Sequence, residues 1–92
     1  MMVTKLLKVV AQTEPVYVPS KKVEGGQVAI STIRLKELGG EYEDEYVCDM
    51  FGNLAEQKYR EGQLVLAVLR FRSHESNGSY YQDVVVSYIH FI

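Results

Sequence analysis

The 92-residue sequence has no tryptophan, one cysteine and two prolines. The lone cysteine, Cys48, rules out an intrachain disulfide and any cysteine-based metal cluster. It also fits a reducing compartment. No run approaches the roughly 18–20 apolar residues of a membrane-spanning helix. The N-terminal stretch MMVTKLLKVVAQ is broken by Lys8 and lacks a small-residue cleavage site, so it does not read as a signal peptide. A cytoplasmic location, with no membrane partner, is expected. A surplus of positive charge is also missing, since ten Lys and Arg face twelve Asp and Glu for a net charge of -2. That balance weighs against a uniformly basic nucleic-acid binder.

What is present is a foldable, ring-rich chain. The composition is 47% hydrophobic and 24% charged, too apolar for disorder. Seven Tyr and three Phe supply every ring. The length suits one domain, residues 1–92, with one modest core. The acids are unevenly spread: Glu37, Glu41, Glu43, Asp44 and Glu45 form a block. Lys21, Lys22, Arg34, Lys36, Arg70 and Arg72 lie outside it. If the acids share one loop, a basic groove can exist elsewhere.

Turn signals cut the chain into five strand-like segments. The first runs from about Thr4 to Thr13. Pro15 and Pro19 bracket an irregular stretch ending at Gly25-Gly26. The second segment, Gln27 to about Leu38, carries Val28 and Ile30 in one phase and Ile33 and Leu35 in the other. That switch predicts a bulge or sharp bend at Ser31-Thr32. Gly39-Gly40 and the acidic block lead to a third segment, Tyr46–Phe51. After Gly52, Asn53 and Glu56 form a capping-box pattern that predicts a helix over Leu54–Arg60, stopped by Gly62. The fourth segment spans Leu64–Ser73 and the fifth Tyr80–Ile92. Asn77-Gly78 between them predicts a tight hairpin, because both residues tolerate positive φ. Three strands, a helix and two strands is the layout of the five-stranded OB-fold barrel, an all-β architecture.

Leu64–Leu69 and Val84–Val86 are apolar in both phases. A solvated antiparallel strand alternates, so these need cover on both faces. One short helix is too little, which predicts a homo-oligomer. The apolar C-terminal strand, Ser87–Ile92, points the same way.

The search for catalysis finds little. Gly25-Gly26 and Gly39-Gly40 are turn glycines, not a phosphate loop. His74 and His90 have no neighbouring Cys, so no metal is expected. Cys48 reads as a small buried residue rather than a nucleophile. No nucleophile-elbow pattern frames a Ser. The chain is not expected to be an enzyme or to carry a cofactor. A surface for single strands needs aromatic faces and cations together. Arg70 and Arg72 alternate along one strand face, as do Arg34 and Lys36. His74 continues the Arg70-Arg72 phase, and Tyr80 and Tyr81 return across the hairpin, one of them expected to point inward. Each feature taken singly fits a solvated face or a packing contact at least as well.

Met50-Phe51-Gly52-Asn53-Leu54-Ala55-Glu56, with Tyr59 and Gly62, resembles the signature of bacterial single-stranded DNA-binding proteins. Gly25–Ile30 resembles the start of that family's second strand, Leu69–Arg72 its fourth and Tyr81–Val86 its fifth. The likeness runs from about Lys5 to Ile92. It implies an OB-fold that oligomerises partly through its first strands, as a homodimer or homotetramer. It implies sequence-tolerant binding of single-stranded DNA, in replication, repair and recombination. Family stacking positions fall on Phe51 and His74, and basic ones on Arg34, Lys36, Arg70 and Arg72. The family's tryptophans are missing. The family's flexible acidic-tipped tail is missing too, so partner recruitment by that route is not expected of this compact form. The expected DNA-binding residues are therefore Arg34, Lys36, Phe51, Arg70, Arg72, His74, Tyr80 and Tyr81. The alternative is a related barrel that serves as an interaction scaffold and has lost DNA binding.

Overall fold

A computed structural model of the protein describes residues 1–20, 26–40 and 42–92. Lys21, Lys22, Gly25 and Glu41 lie outside the described residues. The described elements are β1 (Met2–Gln12), β2 (Val16–Pro19), β3 (Gln27–Glu37), β4 (Glu45–Phe51), α1 (Asn53–Glu56), β5 (Leu64–Ser76) and β6 (Ser79–Phe91). The strands form one sheet of order β1-β5-β6-β4-β3-β2, and β1 also pairs with β3. That last pairing closes five strands into a ring, with β2 added beside β3. The ring is the expected all-β, five-stranded OB-type barrel, with its helix between the third and fourth barrel strands. Its ladders are antiparallel except for a single parallel bridge from β4 to β6, Asp49 to Val85.

Alternation sorts the side chains. Leu7 and Val9 of β1, Ile33 and Leu35 of β3, Cys48 and Met50 of β4, and Val65, Ala67 and Leu69 of β5 point inward and are fully buried. Each Val, Leu or Ile so buried stabilises the fold by about 1.5–3 kcal/mol. One end of the barrel is plugged by Ala55 of α1. There the small inward residues Ala29 and Ser31 make room for the helix, and Ser31 Oγ donates to the Ala55 carbonyl at 3.0 Å. The other end is closed by a polar group. Lys5 Nζ donates to Glu37 Oε1 at 2.7 Å, and Tyr46 OH donates to the same oxygen at 2.9 Å. These two donors hold the Glu37 carboxyl below the usual carboxylate range, the lysine contributing most. Tyr46 packs edge-on against Phe71, with ring centres 6.1 Å apart.

Three local expectations need correction. Of the two alternatives at Ser31-Thr32, β3 carries no bulge, since its pairings with β2 and β4 run without a register break, but its partner on one edge changes there from β2 to β1, as a bend would allow. Ala29 and Ser31 fill its inward phase, so Val28 and Ile30 face outward. The slips lie instead near Val10 in β1 and Ser87 in β6. The helix is one turn, Asn53–Glu56, not seven residues, and Gly52 rather than Asn53 is its N-cap, with no side-chain cap. Gln12 ends it, donating from Nε2 to the Gln57 carbonyl at 2.6 Å and accepting from the Tyr59 N–H at 2.9 Å. Those contacts draw the chain onto β1 in extended form. The stretch between Pro15 and Pro19 is not wholly irregular, since Val16–Pro19 pairs with β3 as an edge strand. The hairpin is as expected, with Asn77 at φ 53° and Gly78 at φ 81°.

Candidate nucleic-acid interface

Cross-strand register builds the outer face of the barrel residue by residue, because partners directly opposite in a ladder share a face. Thr32 of β3 lies opposite Asp49 of β4, Asp49 opposite Val85 of β6, and Val85 opposite Arg70 of β5. This row crosses four strands. On one side of it lies the row Val16–Ile30–Phe51. On the other, Arg72 faces Asp83 and His74 faces Tyr81. Phe51 lies two residues beyond the row along β4, and Tyr81 four residues beyond it the other way along β6. At ~3.3 Å per residue the two rings mark the ends of a strip about 20 Å long.

Both ends of the strip carry exposed aromatic surface. Phe51 is 44% exposed although it ends a core-lining strand. Its position is fixed by Gly52, whose φ of 66° and ψ of -135° turn the chain into α1, and whose N–H donates to the Ala29 carbonyl at 2.9 Å. At the other end Tyr81 stacks on His74, ring centres 5.4 Å apart and planes 23° from parallel. His74 Nδ1 lies 3.1 Å from Asp83 Oδ2, so the imidazole is held from its edge and its face. Tyr80 is not part of this group. It lies opposite Glu75 and points to the other side of the hairpin. It is also not inward: the hairpin has left the barrel there, and Tyr80 is 82% exposed and Tyr81 51%.

The cations divide into two kinds. Arg70 and Arg72 are exposed, and neither guanidinium makes a hydrogen bond or ion pair with another described residue. Arg34 is engaged, its Nη2 donating to both carboxylate oxygens of Glu45 at 3.0 Å. Lys36 sits on the same face, directly opposite Glu45, half-buried. The acidic block is therefore not a detached loop. Its ends, Glu37 and Glu45, reach back and neutralise Lys5 and Arg34.

Two residues of the strip do not stand out in the sequence. Asp49 and Asp83 lie in its middle, between the aromatic ends. Asp49 is half-buried, its carboxylate makes no hydrogen bond or ion pair with a described residue, and its pKa is raised, first by burial and then by Asp83. Its placement depends on the β4–β6 bridge, a non-local pairing that no periodicity reveals. Beneath the face, the Cys48 thiol is fully buried and its pKa is pushed up to about 12, first by burial and then by Asp49. A thiol so held is no nucleophile at neutral pH. Among the described residues no three His, Cys, Asp or Glu gather as a metal site, and no helix is long and apolar enough to cross a membrane.

No protein-family model matches the sequence, and no curated protein sequence matches it. Among solved structures, the chain is similar to the crystal structure of the mitochondrial single-stranded DNA-binding protein of S. cerevisiae. The TM-score is 0.61 at 12% identity, over 100% of this chain and 95% of that one. The likeness is one of fold: this chain shares the barrel of that protein over its whole length.

Proposed function

We propose that the protein binds single-stranded DNA, tolerant of sequence, through the outer strip of β4, β5 and β6. The observation that carries this reading is the pairing of two unengaged guanidiniums, Arg70 and Arg72, with exposed rings at both ends of the same face. Bases stack on Phe51 and on the Tyr81–His74 pair while phosphates meet the arginines. Arg34 and Lys36 extend the cationic border once Glu45 yields. A strip about 20 Å long suits the low end of the ~4–16 nucleotides taken by one OB-type barrel. The structural likeness to a mitochondrial single-stranded DNA-binding protein supports the same reading.

Titrating a labelled oligo-dT by fluorescence anisotropy at low salt tests it. Binding at micromolar protein or tighter is expected, weakening as salt rises. Neutralising two phosphate contacts with Arg70→Ala/Arg72→Ala is expected to flatten the log–log salt slope by about 1.4, at ~0.7 per phosphate. Absence of binding selects the scaffold reading, which the net charge of -2 and the carboxylates of Asp49 and Asp83 favour. Binding indifferent to the double variant places the interface on another face.

The second proposed partner is another copy of the chain. Leu6, Leu64, Leu66 and Tyr88 are exposed on the outer face of β1, β5 and β6. Leu6 lies opposite Leu66, and Val68 opposite Tyr88, so they form one surface. A surface of that kind on a small soluble barrel is suited to a partner.

A further inference from the structure

We propose that Asp49 tilts the base preference of the strip towards bases bearing an exocyclic amino group, such as cytosine, and against thymine. The inference rests on the DNA-binding reading above and deepens it. The cations lie on β5, where Arg70 and Arg72 occupy alternate outward positions. The ring of Phe51 lies on β4, on the far side of β6 from them. A strand whose phosphates follow β5 and whose base stacks on Phe51 turns base edges towards the ground between. That ground is Asp49, Val85 and Asp83. Asp49 is two residues from Phe51 on the same strand face and directly opposite Val85. Asp83 has a partner in His74, 3.1 Å away. Asp49 has none among the described residues.

The chemistry of a carboxylate decides the preference. An ionised carboxylate accepts hydrogen bonds and donates none. Cytosine offers its N4 amino group where thymine offers O4, and thymine's one donor on its open edge, N3–H, is flanked by the acceptors O2 and O4. A cytosine above Asp49 satisfies a half-buried acceptor. A thymine brings O4, and O2 beyond its single N3–H, against carboxylate oxygen, so acceptors face each other on either side of its one donor. A carboxylate in a surface that attracts a polyanion otherwise weakens every sequence alike.

The test compares labelled oligo-dC and oligo-dT of equal length at pH 7.5, with wild type and Asp49→Ala. Wild type is expected to bind oligo-dC about fivefold tighter than oligo-dT. In Asp49→Ala that ratio is expected to fall towards one, chiefly because oligo-dT binds better. A circular dichroism spectrum unchanged from wild type checks that the outward substitution leaves the barrel intact. Equal binding of the two oligonucleotides by wild type overturns the proposal and leaves the DNA-binding reading standing. So does a uniform gain in Asp49→Ala with the ratio unchanged, since a bare charge acts on both alike. No binding of either oligonucleotide overturns both.

Discussion

Tyr80 and Tyr81 are neighbours in sequence with opposite surroundings. Tyr81 lies flat against His74, and His74 is steadied by Asp83. A base stacking on that pair meets a ring already ordered, so less side-chain entropy is lost on binding. Tyr80 points to the other side of the hairpin and is mostly in water. Tyr81→Ala is expected to weaken oligo-dT binding by about 1–3 kcal/mol, the usual worth of one stacked base. Tyr80→Ala is expected to leave affinity unchanged within error. Anisotropy titrations of both variants check this, and equal losses from the two would contradict the assigned face. Arg34 illustrates the same rule for charge. Held by both oxygens of Glu45, it must surrender a bidentate contact before it meets a phosphate, whereas Arg70 and Arg72 surrender none.

The β5–β6 hairpin carries half of the strip, and its turn sets its register. Gly78 has φ 81°, and a Cβ there would meet nothing within 4 Å. Replacement therefore costs backbone strain alone. Gly78→Ala is expected to destabilise the fold by about 1 kcal/mol, read as a lower urea midpoint at unchanged m-value. A cost near zero would mean that the hairpin tip frays without unfolding the barrel. The hairpin was legible from sequence because Asn77-Gly78 is a local signal, as was the Phe51-Gly52 junction. What sequence concealed depends on distant partners. β2 was hidden because Pro15 and Pro19 read as breakers, yet Pro19 ends an edge strand where a missing N–H is tolerated. The helix is shorter than its capping pattern predicts because Gln12, 45 residues before Gln57, terminates it. The alternation of Arg70, Arg72 and His74 exposed half of the site. Asp49 and Asp83 carry no such local signal, since it is the parallel bridge that brings β4 beside β6.

At the scale of the whole molecule, the barrel presents two different outer faces. One is the mixed strip of β4, β5 and β6. The other runs over β1 and the opposite ends of β5 and β6, where Leu6, Leu64, Leu66 and Tyr88 face water. Stable protein interfaces bury about 800 Å² per partner, and an apolar centre of this sort is what such contacts use. If a second copy covers this face, each assembly holds two strips on one body. A DNA long enough to reach both then binds the second strip intramolecularly, at an effective concentration set by the span. Two measurements follow from one substitution. Light scattering is expected to give wild type at least twice the mass of one chain, and Leu66→Glu the mass of a single chain. Leu66 is partly exposed in the barrel, so the charge is tolerated by the monomer. In titrations, Leu66→Glu is expected to lose about a hundred-fold on an oligonucleotide that spans two strips, the lower end of the ~10²–10⁴ avidity gains. On one that fills a single strip it is expected to change little. A monomeric wild type would remove the second copy. Equal losses on short and long DNA would instead place Leu66 within the DNA-binding face itself.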